Sequence, residues 1–204
     1  MSDKSKEKNL DKETIDKLID KAIEIFSTKG YGATKLTDIT NSLSISRGPI
    51  YYYFKDKYGL YSAAFDRFEK GLREIHEAVF STDKPLMDQM EDMIFEFVKH
   101  ISVFGDNFFF MVDEIIELKE ISARYHAMNR ELYEDKIRMV EAAQKKGIIL
   151  SAMTSKLIVD YVYLVYFAIL GGFNSVILEG YSEKEIKDSI RMQFEGLNHR
   201  ILSR

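Results

Sequence analysis

The sequence of 204 residues contains no cysteine and only two prolines. Without cysteine the chain can form no disulfide, no thiolate metal site and no cysteine nucleophile. The scarcity of proline favours long uninterrupted helices, because proline removes a backbone donor and breaks a helix interior. The first residues also lack the apolar segment of a signal peptide. We therefore expect a helical, cytoplasmic protein.

Charge of one sign does not dominate the chain, whose net charge is −4. Residues 1–58 hold 11 Lys or Arg against 9 Asp or Glu, whereas the remaining residues hold 18 against 24. This mild asymmetry permits a nucleic-acid surface at the N-terminal end and an acidic body that stays off DNA. It establishes neither function alone.

Long apolar runs are rare, and the only one that needs a membrane test covers residues 157–178. Its length is close to the roughly 20 residues of a spanning helix. However, it carries Asp160, lacks flanking Lys/Arg clusters, and is interrupted by Asn174 and Ser175. We predict a buried or subunit-interface helix and no membrane partner.

The apolar spacing is helical almost everywhere and predicts an all-α fold of nine helices without a convincing strand. Thr37 and Ser46 are the expected N-caps of two short helices, and Pro49 falls in the first turn of the second. Gly30 is the expected end of the first helix. The nine helices are expected at about 15–29, 38–43, 47–54, 57–79, 87–101, 108–118, 124–146, 157–178 and 186–201.

The segment 37–57 carries the most information about function. Two short capped helices joined by a tight turn are the composition of a helix-turn-helix. In that motif the second helix lies in the major groove of DNA while the first crosses the backbone. Hydroxyls and free N–H groups at helix starts suit phosphate oxygens, and Arg47 can donate to a guanine edge or to phosphate.

Residues 15–61 resemble the DNA-binding region of the TetR (tetracycline-repressor-like) family of bacterial regulators. The match is carried by three stretches, at 26–34, 37–39 and 46–54, followed by Lys57-Tyr58-Gly59-Leu60. Two features depart from the family pattern: 41–44 reads Asn-Ser-Leu-Ser where alanines are common, and Tyr53 replaces the usual histidine. The rest of the chain resembles the family only in length, helicity and helix order.

The resemblance implies a DNA-contacting set in a domain of residues 1–56, together with the first residue of the next helix. Tyr52 is expected to contact DNA, and Phe54 is expected mainly in the core. For Tyr53 the sequence does not decide between DNA contact and burial, and Tyr51 could contact DNA or belong to the core. Arg47, Lys55 and Lys57 are expected to contact phosphate or bases, and the alternative is that they are ordinary solvated surface residues. The predicted DNA-binding residues are Thr37, Ser46, Arg47, Gly48, Pro49, Tyr51, Tyr52, Tyr53, Lys55 and Lys57.

Residues 57–204 are implied to form a ligand-binding and dimerisation domain, with the last two helices making a four-helix interface. A dimer is expected because reading two half-sites needs two helix-turn-helix units. Aromatic residues of the body could line an apolar pocket or be ordinary core. The predicted interface comprises Leu164, Ala168, Gly171, Gly172, Ser175, Ile190, Phe194, Leu197 and Ile201; the predicted ligand site comprises Phe104, Phe108, Met111, Asp113, Glu117, Tyr163 and Phe167.

Enzyme chemistry has no local signature in this sequence. The four histidines are scattered, no metal-ligand spacing appears, and neither a glycine-rich phosphate loop nor a GxSxG elbow is present. No cofactor, metal or catalytic residue is predicted. The resemblance instead implies a repressor of operator DNA, acting as a homodimer and released by a small apolar or amphipathic inducer. The alternatives are an activator, or a helical interaction or adaptor protein on the same fold.

Overall fold

The computed structural model describes residues 3–104, 116–150, 152–173 and 180–202. Within these ranges the chain forms eight α-helices and one 3₁₀ turn, without a strand, and the all-α prediction is confirmed. The helix expected at 108–118 lies mostly outside the described residues; its end is the 3₁₀ turn Ile116–Leu118. The helices are α1 (Asp3–Ala33), α2 (Leu36–Ser42), α3 (Gly48–Phe54), α4 (Lys57–Phe80), α5 (Leu86–Phe104), α6 (Lys119–Lys145), α7 (Ser155–Phe173) and α8 (Glu183–Leu202).

Helix α1 is kinked at Gly30, where φ is 74° and ψ is 165°. This combination is essentially restricted to glycine, because a Cβ atom would collide with the neighbouring backbone. The helix end expected at Gly30 therefore coincides with the kink, and a short helical segment continues to Ala33.

The predicted N-caps Thr37 and Ser46 are wrong. Helix α2 begins two residues earlier than predicted, with Lys35 as N-cap, and the Lys35 N–H donates to the Asp38 carboxylate at 3.2 Å. This carboxylate satisfies a free donor at the helix start and so favours the earlier beginning. Helix α3 has Arg47 at its N-cap without a side-chain hydrogen bond. Pro49 lies in the first turn of α3, as expected, where its missing N–H needs no partner.

The chain divides into two compact units. Unit 1 comprises Met1–Lys70 and Val103–Tyr125, and unit 2 comprises Gly71–Ser102 and His126–Arg204. The boundary falls inside α4, which is one continuous helix. The boundary that the sequence predicts at residue 56 would separate a DNA-binding part from a ligand-binding part. This boundary stays a prediction.

The core of unit 1 is aromatic. The Tyr61 ring meets the rings of Phe26 and Tyr31 edge-on, at centroid distances of 5.0 and 5.2 Å. Phe68 contacts Phe104 in the same way at 5.1 Å. Such pairs add about 0.5–1.5 kcal/mol to the free energy of burial. This core packs α1 against α4. The short helices α2 and α3 belong to the same unit.

Two arginines join the helices of unit 1 at its surface. Arg67 on α4 pairs with Asp16 of α1 at 2.7 Å and also contacts Asp20. Arg124 on α6 donates to Asp66 at 2.7 Å and to Glu69 at 2.8 Å, both on α4. Because these groups are partly exposed, each pair contributes little stability, typically below about 1 kcal/mol.

Unit 2 packs the second half of α4 with α5, α6, α7 and α8. The Tyr161 hydroxyl of α7 donates to the Gln193 carbonyl of α8 at 2.9 Å. Asp160, the charge inside the apolar run, pairs with Lys156 at 2.6 Å. Among the described helices none is long and apolar enough to cross a membrane. The fully or almost fully buried side chains include Met90, Ile94, Val98, Val140, Ile158, Val162, Ile190 and Phe194.

A lysine lies inside the core of unit 2. Lys136 has no exposed surface, and its Nζ donates to the Leu132 carbonyl at 2.9 Å. The rings of Phe80, Phe97 and Tyr163 surround the ammonium at 5.6–5.9 Å from their centroids. Burial lowers the pKa of Lys136 to about 7, because desolvation penalises the charged form. Aromatic faces offset part of that penalty.

Candidate nucleic-acid interface

The turn between α2 and α3 is closed by backbone hydrogen bonds. The Ser44 N–H donates to Asn41 O at 3.1 Å, and the Ile45 N–H donates to Thr40 O at 3.0 Å. Ser44 adopts the left-handed conformation with φ 54°. Together these features make a Schellman motif, which ends α2 and redirects the chain toward α3.

Two isoleucines anchor the motif to unit 1. Ile39 of α2 and Ile50 of α3 have no exposed surface. Ile50 is the one buried residue of the seven in α3. The other six residues of this short helix are exposed or partly buried. A helix with one apolar anchor and an uncovered opposite face suits insertion into a DNA groove.

Most of the predicted DNA-binding side chains lie on this uncovered face. Tyr52 is 81% exposed and Tyr51 is 53% exposed, so the core reading of Tyr51 is wrong. The Tyr53 ring packs edge-on against Tyr52 at 4.8 Å and is partly buried, as is Phe54. Of the other residues in the predicted set, Ser46, Arg47, Gly48 and Lys55 are exposed, and Thr37, Pro49 and Lys57 are partly buried.

Lys55 ends α3 in a strained conformation. Its φ is 70° and its ψ is −50°, and the Asp56 N–H donates back to Phe54 O at 2.9 Å. This is the geometry of the rare γ-turn with positive φ, which a residue with a side chain adopts at an energetic cost. The turn leaves the Lys55 side chain exposed at the end of α3.

Lys57 occupies a different environment although it is only two residues away. Its Nζ donates to Tyr31 O at 2.9 Å and to Thr34 O at 3.3 Å, and it stands 4.3 Å from the centroid of the Tyr31 ring. The ammonium therefore satisfies carbonyls at the end of α1. The expected DNA contact of Lys57 stays a prediction. Sequence spacing could not indicate that its ammonium binds backbone carbonyls of Tyr31 and Thr34.

The start of α4 is fitted closely to the end of α3. The Asp56 carboxylate accepts from the Gly59 N–H at 2.8 Å and so caps α4. A Cβ atom on Gly59 would stand 1.9 Å from Phe54 O. No side chain fits at that position, so glycine permits the approach that sets α3 against the first turn of α4.

The same region matches a known family. Residues 18–64 fit the model described as bacterial regulatory proteins, tetR family, and this range contains α2, α3 and the turn between them. Residues 18–64 are therefore similar to the DNA-binding region of the tetR family of bacterial regulatory proteins.

Curated relatives are similar to part of the chain. The chain is 34% identical over 83 residues to the biofilm operon icaADBC HTH-type negative transcriptional regulator IcaR of Staphylococcus aureus strain Newman. The match covers 41% of this chain and 45% of that protein. IcaR of Staphylococcus epidermidis is 38% identical over 72 residues, 33% of this chain and 39% of the relative. The chain thus spans less than half the length of these relatives.

Solved structures extend the likeness of fold to nearly the whole chain. A TetR regulator from Chloroflexus aurantiacus superposes with a TM-score of 0.75 at 18% identity, covering 95% of this chain and 98% of that one. MexZ, a repressor of Pseudomonas aeruginosa, gives 0.74 at 18% identity with 94% and 99% coverage. A regulator from Saccharomonospora viridis gives 0.69 at 16%, with 95% and 100% coverage.

The outer side of α7 and α8 carries uncovered apolar groups. Leu164 is 66% exposed and Phe167 59% on α7, and Met192 is 71% exposed on α8. Gly171 and Gly196 have open space where a Cβ would stand. We call Leu164, Phe167, Ala168 and Gly171 with Met192 and Gly196 the α7/α8 stripe. The stripe follows helical spacing, so its members share one side of each helix.

Part of the predicted interface set lies on the opposite side. Ile190, Phe194 and Leu197 are 0–7% exposed and pack into the core of unit 2, so their assignment to a subunit interface is corrected. The apolar periodicity of α8 indicated one buried face, but periodicity does not distinguish the chain's own core from a partner. Leu164, Ala168 and Gly171 are exposed and remain interface predictions; Ser175 lies outside the described residues, as do the side-chain surroundings of Gly172 and Ile201.

The predicted ligand residues do not form one described site. Phe104 is buried in unit 1, and Tyr163 belongs to unit 2 beside Lys136. Phe167 lies on the exposed α7/α8 stripe, so its assignment to a pocket is corrected. Glu117 lines an open groove of unit 1 instead. Phe108, Met111 and Asp113 lie outside the described residues. In the described part of the chain no group of three or more acidic or histidine side chains is placed to hold a metal ion.

Proposed function

We propose that this chain is a DNA-binding transcriptional repressor that acts as a homodimer and releases its operator when a small apolar or amphipathic ligand binds. The observation that carries the proposal is the outward face of α3. Ile50 holds the helix to unit 1, while Tyr51 and Tyr52 project from it between the exposed cations Arg47 and Lys55. Exposed aromatics flanked by cations suit base edges and phosphates.

The relatives favour a regulator over an enzyme or an adaptor. Both matched IcaR proteins are named negative transcriptional regulators. The family model matches residues 18–64, which contain the whole helix-turn-helix. In an adaptor that had lost DNA binding, nothing would favour exposed cations at both ends of α3, where Arg47 and Lys55 lie. We propose repression rather than activation because both IcaR relatives are negative regulators.

Changing Tyr52 and Lys55 together to alanine should weaken DNA binding about 30-fold or more. A lost base-groove contact typically costs about 1–3 kcal/mol, and a lost phosphate contact lowers the salt dependence by about one unit of slope. Fluorescence anisotropy with labelled DNA from upstream of the protein's own gene, at several salt concentrations, measures both quantities.

The matched control is Tyr181→Ala with Lys146→Ala, an exposed tyrosine and an exposed lysine of unit 2. We choose Lys55 rather than Lys57 because removing Lys57 would uncap the end of α1 and mix a folding defect with a binding defect. Equal weakening by both double variants would contradict the proposed interface. Failure of the unaltered protein to bind that DNA or any member of a random operator library would favour the adaptor.

The α7/α8 stripe supports the proposed homodimer. Large exposed apolar side chains gathered on adjacent helices are unfavourable in water, and a second copy covers them in a closed two-fold interface. The two open glycines, Gly171 and Gly196, would let the backbones of partner helices approach closely. Two copies also supply two recognition helices, which a palindromic operator needs about 34 Å apart.

Introducing a charge into the stripe by Leu164→Glu should convert the dimer to a monomer. Burying a carboxylate in an apolar interface costs several kcal/mol, which corresponds to a rise in the dimer dissociation constant of 100-fold or more. Light scattering during size-exclusion chromatography gives the mass directly. Ile148→Glu is the control, because Ile148 is 56% exposed outside the stripe. A Leu164→Glu protein that stays dimeric would place the interface elsewhere.

The proposed inducer acts by population shift. Occupancy of unit 2 would favour one separation of the two recognition helices, and a mismatch with successive major grooves would release the DNA. The regulator from Saccharomonospora viridis was solved in complex with choline, so a protein of this fold holds a small organic molecule. Unchanged operator affinity in the presence of a ligand that saturates unit 2 would argue against this step.

A further inference from the structure

Unit 1 contains an open groove of about 770 Å³, whose lining includes neither the exposed α3 tyrosines nor Arg47 and Lys55, and which lies outside unit 2. Its lining residues belong to the end of α1, to residues 56–58 at the start of α4, and to the segment 116–120. The lining residues are Tyr31, Asp56, Lys57, Tyr58, Ile116, Glu117, Lys119 and Glu120.

Two tyrosine hydroxyls donate to two of the groove carboxylates. Tyr58 donates to Glu120 Oε2 at 3.2 Å, and Tyr31 donates to Glu117. The pKa of both tyrosines is raised, first by burial and then by these carboxylates. Each glutamate keeps lone pairs for a further donor, because a carboxylate accepts about four hydrogen bonds.

The local charge favours a cation. Three carboxylates, those of Asp56, Glu117 and Glu120, line the groove, whereas the Lys57 ammonium is directed to the carbonyls of Tyr31 and Thr34. Lys57 also shows that an aromatic face here accepts an ammonium, since its Nζ is 4.3 Å from the Tyr31 ring centroid. Tyr58 supplies a second ring on the same wall.

The groove also has an uncovered apolar element. Ile116 is 78% exposed at the groove wall. A large aliphatic side chain beside carboxylates and tyrosine rings matches a ligand that carries an apolar group next to its charge. A hydrated metal ion would leave Ile116 uncovered, whereas an organic amine would bury it.

We propose that this groove binds a small hydrophobic cation, an alkyl or arylalkyl amine, as a site separate from the inducer pocket of unit 2. The ammonium pairs with Glu117 and Glu120, and the apolar group covers Ile116 beside the Tyr58 ring. Lys119, the second cation of the wall, limits the site to ligands of low charge.

Occupancy of the groove has a consequence for DNA binding, and this part rests on the proposed function. Tyr58 lies in the first turn of α4, directly after the Asp56 cap that orients the end of α3. An ammonium competes with the Tyr31 and Tyr58 hydroxyls for the glutamates, so the contacts that tie the start of α4 to segment 116–120 weaken. The affinity for operator DNA then changes with amine concentration.

The site is tested by isothermal titration calorimetry of the full-length protein without DNA. The probe is 2-phenylethylamine, with 2-phenylethanol as its neutral analogue and 3-phenylpropionate as its anionic analogue. We expect saturable binding of the amine at one site per chain, at least tenfold weaker binding of the alcohol, and none of the anion. The Glu117→Gln/Glu120→Gln variant should bind the amine at least fivefold more weakly.

Glu134→Gln, which removes an exposed carboxylate of α6 in unit 2, is the control and should bind like the unaltered protein. Equal affinity for the three probes, or an amine affinity unaffected by the double variant, overturns the site. The DNA arm repeats the anisotropy titration with saturating amine. Amine binding without a change in DNA affinity overturns the coupling but not the site, and absence of DNA binding overturns the proposed function while the calorimetry still decides the site.

Discussion

Replacing Gly59 with alanine should destabilise the protein by about 3 kcal/mol or more, because the new Cβ would overlap backbone atoms. It would stand 1.9 Å from Phe54 O and 3.0 Å from Phe54 C. The same carbonyl accepts the Asp56 N–H in the γ-turn at Lys55, so moving it away breaks that turn. Urea unfolding followed by circular dichroism measures the change in the free energy of unfolding.

Gly32→Ala is the control for Gly59→Ala, since Gly32 has open space where a Cβ would stand and its φ is not positive. We expect no loss, or a gain of up to about 1 kcal/mol, from that change, because alanine is the better helix former. A Gly59→Ala protein as stable as the unaltered one would mean that α3 and α4 do not meet as closely as described.

Replacing Lys136 with methionine should stabilise the protein at neutral pH by roughly 1–4 kcal/mol, the range seen when buried charges give way to apolar groups. Lys136 is fully buried, and its pKa falls from 10.5 to about 7 on folding. Between these two values the unfolded chain binds more protons than the folded chain. The stability of the unaltered protein must therefore rise with pH over this window.

The pH dependence supplies the sharper test. From pH 7 to pH 9 the advantage of Lys136→Met should shrink by about 2 kcal/mol, as the buried amine of the unaltered protein loses its proton. Unfolding curves at both pH values for the two proteins give this difference. Lys145→Met, at an exposed lysine of the same helix, should show no such trend. Parallel pH profiles for Lys136→Met and the unaltered protein would mean that the ammonium is not desolvated.

Much of the helix-turn-helix could be predicted from local sequence. Pro49 lies in the first turn of α3 and Gly30 lies at the kink of α1, because both residues act through their own backbone conformations. The N-caps were predicted less well. Thr37 and Ser46 are good capping residues by type, but the Asp38 carboxylate is the acceptor at the start of α2, and α3 follows Arg47 without a side-chain cap.

The roles of the two nearby lysines could not be predicted from spacing. Lys55 and Lys57 are alike in type and lie close together, yet one is exposed at a strained turn and the other is bound to carbonyls of Tyr31 and Thr34. The partners of Lys57 are more than 20 residues away in the chain. A contact of that kind depends on how α1 packs against α4, which no local pattern contains.

By itself the sequence determined the helical class, the likeness of residues 18–64 to the tetR family and the order of the motif, because apolar periodicity, glycine and proline act within a few residues of their own positions. The tertiary structure alone decided which face of each helix is covered. It placed Ile190 and Phe194 inside unit 2 and left Met192 and Leu164 outside, and it buried Lys136 among aromatic rings. Burial and pKa depend on neighbours from distant parts of the chain, so these properties exist only after the helices have packed.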